Sequence, residues 1–381
     1  MAEENQKKLP DQWRTFEIPS VVTRRRFMKK SAIAAGIATT ARIQAVSEEW
    51  FMPDESDPHE RTWMAFGASH KIWGQRLLPK VRRDLALAAM TIARYEPVSM
   101  LVRKEEMNIA RRLVGKSVDL IPCPIDDLWI RDTGPVFVID GEGGKAAIDF
   151  NFNGWGEKQE HARDAKVARF VAKRAGVSVL DSDLILEGGG IEVDGHGTAI
   201  ISESCVLIAN RNPGISKSRC EAELKELLGL KKIIWLPGIK GRDITDGHTD
   251  FYARFAGAGV VLAGYDPDPN SFDHTVTKRH LRILRTATDA RGRSLKVIVL
   301  PAPQKIRGRF ENEDFAAGYI GFYVCNGAVI MQEFGDRRAD ETTKSKLKAA
   351  FPDREIVPLN LDAIAAGGGS IHCATQQEPR V

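Results

Sequence analysis

From residue 80 to 95, apolar side chains recur at helical spacing, with Leu85, Ala88, Ala89 and Ile92 on one face. A short apolar run at 98–102 then reads as a strand, 107–113 returns to helical spacing, and 118–121 reads as a second strand. The alternation recurs at 145–150, 164–175 and 177–180, and again at 198–208, 220–228 and 232–236. Residues 260–263, 275–288 and 296–300 make a further round, and the last spans 318–325, 328–331, 342–351 and 355–358. About five rounds of strand and helix imply an α/β fold built from repeated units. Neither a Gly-rich turn after a first strand nor a phosphate loop occurs, which sets aside dinucleotide and nucleotide folds. No Pro-, Ser- or Gly-rich linker divides the chain, so residues 46–381 read as a single domain.

Composition changes this picture mainly at the amino terminus. The 381 residues are 43% hydrophobic and 28% charged, as in a globular protein. The net charge of +4 invites a nucleic-acid partner, but residues 1–45 hold nine Lys or Arg against four acids. The remainder is close to neutral and has no bulk attraction to polyanions. Within the basic segment, Thr23-Arg24-Arg25-Arg26-Phe27-Met28-Lys29 precedes a weakly apolar stretch from Ser31 to Ala41. That order reads as a twin-arginine export signal spanning 1–45, an address for the translocation machinery with the periplasm as destination. A solvated charge run before an Ala-rich helix is the plainer alternative. The five cysteines, at 123, 205, 220, 325 and 373, are widely spaced and odd in number, so at least one is left free or pairs between chains.

The connections between elements hold the chemistry. Asp126-Asp127-Leu128-Trp129-Ile130-Arg131-Asp132 follows one strand and Glu187-Gly188-Gly189-Gly190 another. Gly247-His248-Thr249-Asp250 and Gly367-Gly368-Gly369-Ser370-Ile371-His372-Cys373 come later. A propeller-like or barrel-like arrangement would gather such loops at one end. Cys373 reads either as a buried structural cysteine or as a nucleophile, and a nucleophile needs surroundings that favour its thiolate. His372 would point away from it in an extended segment, which makes a distant histidine the better acid or base. His248 fits that role, and on a strand it would share a face with Asp250. The same pair also reads as an exposed turn or, less well, as two ligands of a metal lacking a third. Asp132 beside Arg131 could be a surface ion pair. Gathered with Asp250 and Glu187, it would instead form an acidic site matched to a planar cation with paired donors, which is a guanidinium.

Taken together, these segments resemble the guanidine-modifying (pentein) superfamily, and within it the agmatine deiminases and Porphyromonas-type peptidylarginine deiminases. The resemblance runs from His59-Glu60-Arg61-Thr62-Trp63-Met64 through Trp129-Ile130-Arg131-Asp132-Thr133-Gly134-Pro135 and Asn151-Phe152-Asn153-Gly154-Trp155-Gly156. It continues with Leu186 to Gly190, Asn210 to Pro213 and Gly247 to Asp250, and ends at Ile371-His372-Cys373-Ala374-Thr375-Gln376-Gln377. It implies a pentein α/β propeller with fivefold pseudosymmetry and a hydrolase without metal or organic cofactor. Cys373 would attack the guanidinium carbon, Asp132 and Asp250 would hold its nitrogens, and His248 would serve the leaving ammonia and then water. Glu187, Trp129 and Asp127 would complete the substrate-binding set. The implied substrate is a small guanidino cation: agmatine, giving N-carbamoylputrescine and ammonia, with peptidyl or free arginine giving citrulline as the alternative. A homodimer is compatible with this reading. Two departures from the family pattern stand out: Ser370 where Asn is usual, and Glu157-Lys158 where a further Gly is expected first.

Overall fold

The computed structural model describes residues 50–381 apart from residue 311. The proposed export signal lies outside the described residues. After a lead-in at 50–58 comes β1 (His59–Ala65), followed by α1 (His70–Ile92), β2 (Val98–Val102), α2 (Met107–Val114) and β3 (Asp119–Pro122). Four rounds of one plan follow. They are β4 (Val136–Ile139), β5 (Lys145–Asp149), α3 (Val167–Ala175) and β6 (Ser178–Asp181), then β7 (Ile191–Val193), β8 (Thr198–Ser202), α4 (Lys217–Leu228) and β9 (Lys232–Leu236). Next are β10 (Ala253–Phe255), β11 (Val260–Tyr265), α5 (Phe272–Thr286) and β12 (Lys296–Pro301), then β13 (Tyr323–Cys325), β14 (Ala328–Gln332), α6 (Arg337–Ala350) and β15 (Glu355–Leu359). The last strand, β16 (Thr375–Pro379), pairs antiparallel with β1 and so completes the unit that opens the described chain.

Every unit pairs its first strand antiparallel with the second and its second parallel with the third, and a helix crosses between those two. The result is five separate small sheets in a mixed α/β fold. The middle strands are buried on both faces, which is why β8 (Thr-Ala-Ile-Ile-Ser) and β14 (Ala-Val-Ile-Met-Gln) read as unbroken runs without alternation. The crossing helices are apolar on one side only. In α4, for example, Cys220, Leu224 and Leu228 face inward at i, i+4 and i+8, Ser216 caps the first turn and Gly229 ends it in the left-handed conformation.

Two first strands, β7 and β10, carry buried charged residues that tie units together. Arg254 of β10 bonds Glu192 of β7 at 2.7 Å and Glu55 of the lead-in at 2.7 Å. Glu55 also accepts the Val324 N–H of β13 and pairs with Arg131 at 3.0 Å. Four units are thereby tied through one buried carboxylate, since Arg131 in turn donates to Gln377 of β16. Among the described residues no helix is long and apolar enough to cross a membrane.

Some boundaries depart from the sequence reading. The helix expected from residue 80 begins at His70, passing a non-helical Gly74 (φ 61°) and Pro79. The strand expected over 318–325 is confined to 323–325, and 198–208 splits into β8 and a short helical turn. His248 and Asp250 do not lie on a strand: Thr249–Phe251 form a 3₁₀ turn. All five cysteines are free and buried.

Candidate active site

Three connections converge at Gly189. Its N–H donates to Asp132 Oδ1 at 3.0 Å. A Cβ placed on it would stand 2.6 Å from His248 Nδ1, 2.9 Å from Asp132 Oδ1 and 3.1 Å from Asp250 Oδ2. Gly189 is therefore the floor on which the histidine and the two carboxylates meet. Asp132 arrives on the short helical turn Ile130–Thr133, and His248 and Asp250 flank the start of the 3₁₀ turn, which brings together two side chains a strand would also have aligned. Cys373 arrives on a turn at the end of the Gly-rich connection, with Sγ 3.7 Å from Asp250 Oδ2.

Each of these groups is held from behind. His248 Nε2 meets Glu187 Oε2 at 3.1 Å, and its Nδ1 lies 3.7 Å from Asp132 Oδ1. Glu187 is in turn gripped by Arg211, whose Nε lies 2.7 Å from Oε1 and whose other nitrogens donate to Asp246 and the Thr245 carbonyl. Asp132 Oδ2 accepts the indole N–H of Trp155 at 2.9 Å. Asp250 Oδ2 is 2.7 Å from His372 Nδ1, and His372 Nε2 is 2.9 Å from Glu55. His372 Nδ1 and Cys373 Sγ thus meet the same carboxylate oxygen, from a turn and not an extended segment.

Electrostatics follow from this packing. Burial alone would depress the His248 pKa, but Asp132, Glu187 and Asp250 raise it to about 9, so the ring carries a proton at neutral pH. Burial lifts Asp132 to about 6 against the pull of His248, with Asp250 and Glu187 adding to the rise. The His372 hydrogen bond holds Asp250 below the usual carboxylate range in spite of its burial. For Cys373, burial and the nearby Asp250 and Asp132 push the thiol well above its ordinary value, opposed by hydrogen bonds from Ser370.

A cleft of about 220 Å³ opens onto this cluster. Trp73, Trp129, Trp155 and Phe251 supply its walls, Gly367, Gly368 and Gly369 one edge, and Cys373 and Asp132 its inner end. The glycines permit this wall: a Cβ on Gly369 would stand 2.3 Å from the Trp129 ring, and one on Gly367 would stand 2.1 Å from that of Trp73. Asp127 also lines the cleft, fixed by Trp73 Nε1 at 2.7 Å and Gln159 at 3.2 Å, with burial lifting its pKa to about 6. Glu187, His248 and Asp250 do not line the cleft; they lie behind Asp132 and Cys373, with the Glu187 oxygens engaged by Arg211 and His248. Among the described residues, no group of three or more His, Cys, Asp or Glu is arranged to hold a metal ion.

Glu55, His372, Arg211, Trp73 and Trp155 escape sequence reasoning as parts of this site. Arg211, Trp155 and His372 lie in segments that carry the resemblance, and the sequence reading sets His372 aside only on the expectation of an extended segment. Trp155 sits in an unusual turn: Gly154, Trp155, Gly156 and Glu157 all have positive φ (67°, 57°, 82° and 64°), a single left-handed turn that delivers the indole to Asp132. Glu157 occupies the place where a glycine was expected, and Lys158 after it bonds Asp246 and the Ile244 carbonyl beside the cleft.

Five like units whose connections gather a cysteine, a histidine and carboxylates beneath an acidic, aromatic cleft define a guanidine-modifying enzyme of the pentein class. A family profile described as Porphyromonas-type peptidyl-arginine deiminase matches residues 51–379. The chain is 44% identical over 337 residues to the protein named "Putative agmatine deiminase" of Streptomyces coelicolor, covering 86% of this chain and 98% of that one. It is 35% identical over 367 residues to the agmatine deiminase of Stutzerimonas stutzeri, covering 90% and 98%. The solved agmatine deiminase of Enterococcus faecalis superposes with a TM-score of 0.82 at 31% identity, over 87% of this chain and 96% of that one. The chain belongs to the agmatine deiminase and Porphyromonas-type peptidylarginine deiminase family of the pentein superfamily, and it is a hydrolase of guanidino groups.

Proposed function

We propose that this enzyme hydrolyses agmatine to N-carbamoylputrescine and ammonia through a covalent intermediate on Cys373. The observation that carries the choice of substrate is the lining of the cleft. It holds Asp127, Asp132 and Asp314 between aromatic and aliphatic walls, and no Lys or Arg lines it among the described residues. Agmatine is a cation at both ends with an apolar chain between, and that lining complements all three parts. The α-carboxylate of free arginine would enter among carboxylates with no Lys or Arg lining the cleft to meet it, at a cost in both desolvation and repulsion. Curated relatives named for agmatine point the same way.

In the reaction, Asp132 and Asp250 take the guanidinium nitrogens and hold the central carbon against Cys373 Sγ. The bound cation offsets the two carboxylates that oppose the thiolate, so the thiol proton is released as substrate settles. Sulfur adds to the guanidinium carbon, and His248, carrying a proton, gives it to one nitrogen as the C–N bond breaks and ammonia departs. The neutral imidazole then takes a proton from water, whose oxygen adds to the amidino-thioether carbon. Collapse expels the thiolate, and loss of the O–H proton to water in the cleft leaves the urea. Glu187 and Arg211 keep His248 oriented, and Trp155 does so for Asp132.

Supported by the buried ties among first strands, we also infer that the five units close into a pseudosymmetric propeller and that residues 46–381 form one domain. The basic segment at 23–29 supports export to the periplasm. The substrate assignment is tested by ammonia release measured side by side on agmatine, free arginine and a blocked arginyl peptide. Agmatine should give the highest kcat/KM, and faster turnover of either arginine compound would replace it as substrate.

A further inference from the structure

Three polar neighbours surround Cys373 Sγ. Asp250 Oδ2 lies at 3.7 Å, and Ser370, in the same turn, presents its backbone N at 3.4 Å and its hydroxyl at 3.3 Å. Their capacities differ. An ionised Asp250 only accepts, the Ser370 N–H only donates, and the hydroxyl does either. While the sulfur is a thiol its proton points to Asp250; once the proton has left, both Ser370 donors are free to converge on sulfur.

Among the described residues, no other hydrogen-bond donor is placed against the sulfur. Asp132 adds a second negative influence on the sulfur. His248 is engaged by Glu187 and faces Asp132, and His372 lies between Asp250 and Glu55. Arg131 meets this turn only through backbone: its N–H donates to the Cys373 carbonyl and its Nε to that of His372, while the rest of its guanidinium goes to Gln377 and Glu55. Before substrate arrives, Ser370 is the neighbour whose hydrogen bonds favour negative charge on sulfur.

The hydroxyl also has a built seat. A Cβ on Gly321 would stand 2.3 Å from both Cβ and Oγ of Ser370. Gly321 does not have positive φ, so its backbone does not call for glycine; the space does. Its carbonyl accepts the His372 N–H at 3.2 Å, which pins the same turn from the other side.

We propose that Ser370 is a catalytic residue whose hydroxyl and backbone N–H together hold the thiolate of Cys373 for attack, in a seat kept open by Gly321. The inference rests on the reading of Cys373 as the nucleophile. The S–H bond breaks with its electron pair left on sulfur and the proton carried off by water in the cleft. The Ser370 O–H then turns to donate into that pair. Because the hydroxyl touches sulfur and not the guanidinium, its loss acts on the chemical step more than on binding.

The test is the pH dependence of Cys373 alkylation by iodoacetamide, followed on the peptide that contains it, together with kcat and KM for agmatine. In Ser370→Ala the alkylation midpoint should rise by about one unit, making alkylation about tenfold slower below it, with kcat reduced by a similar factor and KM little changed. Gly321→Ala keeps the hydroxyl but displaces it, and should move the midpoint in the same direction; it carries the test alone if Ser370→Ala does not fold. An unchanged midpoint in the folded variants, or a raised KM with kcat retained, overturns the assignment. If alkylated wild-type enzyme still turns over, the nucleophile reading fails first; if alkylation abolishes turnover while the variants match wild type, only the role of Ser370 falls.

Discussion

Gly189→Ala offers a sharp probe of how the site is assembled, because it adds one carbon at the point where three functional groups meet. The new Cβ would lie 2.6 Å from His248 Nδ1, 2.9 Å from Asp132 Oδ1 and 3.1 Å from Asp250 Oδ2. Reaching ordinary contact distance requires the imidazole to retreat by about 1 Å and the carboxylates by somewhat less. A displacement of about 1 Å in a positioned catalytic group costs about 100-fold in rate, or about 2.7 kcal/mol of transition-state stabilisation. Stability is affected less. Overpacking costs about 1–3 kcal/mol, and the loss of glycine freedom in the unfolded chain returns about 0.4–1 kcal/mol. Gly190→Ala is the control, since its Cβ would meet Leu186 and Cys205 at 3.2 and 3.3 Å and reach the His248 ring only at 4.0 Å. Ammonia release from agmatine, paired with urea denaturation, should find Gly189→Ala folded and slowed by about two orders of magnitude, with Gly190→Ala far milder. A folded Gly189→Ala enzyme with wild-type kcat/KM would refute the convergence of these groups on substrate.

His248 is protonated below about pH 9 and Asp132 ionised above about pH 6, so kcat/KM should fall on both sides of that window, with midpoints belonging to the coupled cluster as a whole. A profile flat through pH 9 would remove His248 as the proton donor. Glu157→Gly relieves a left-handed residue (φ 64°) that costs about 1–2 kcal/mol, partly offset by about 0.5–1 kcal/mol of glycine entropy. The variant should be modestly more stable in urea with unchanged activity, and a loss of stability would show that the turn is not strained there. Replacing Arg24 and Arg25 together by Lys should leave the enzyme in the cytoplasmic fraction of a host with twin-arginine export; undiminished periplasmic activity would contradict the export signal.

Much of the repeat was legible because it is written locally. Helical spacing in Leu85 to Ile92 and apolar runs such as Ala328 to Met331 depend on neighbours in sequence, and both formed the expected elements. Elements failed at their ends, where Gly74 and Pro79 interrupt the helical pattern of α1 without ending the helix. In the site, Asp132, His248, Asp250 and Cys373 stood out as reactive side chains in loops. Their supports did not, because the pairing of Glu55 with His372 spans 317 residues and that of His372 with Asp250 spans 122. No periodicity or spacing encodes such contacts; they exist only once β16 has paired with β1. The seat of Ser370 was invisible for the same reason, since it is made by an absent side chain at Gly321 in another unit.

A covalent bond between Cys373 and the guanidinium carbon would be trapped by acid-quenching the enzyme during turnover of agmatine and weighing the peptide that contains Cys373. That peptide should gain the mass of agmatine less ammonia, and Cys373→Ala should show neither adduct nor turnover while still binding agmatine. Turnover by Cys373→Ala at the wild-type rate, or an adduct on another residue, would contradict it.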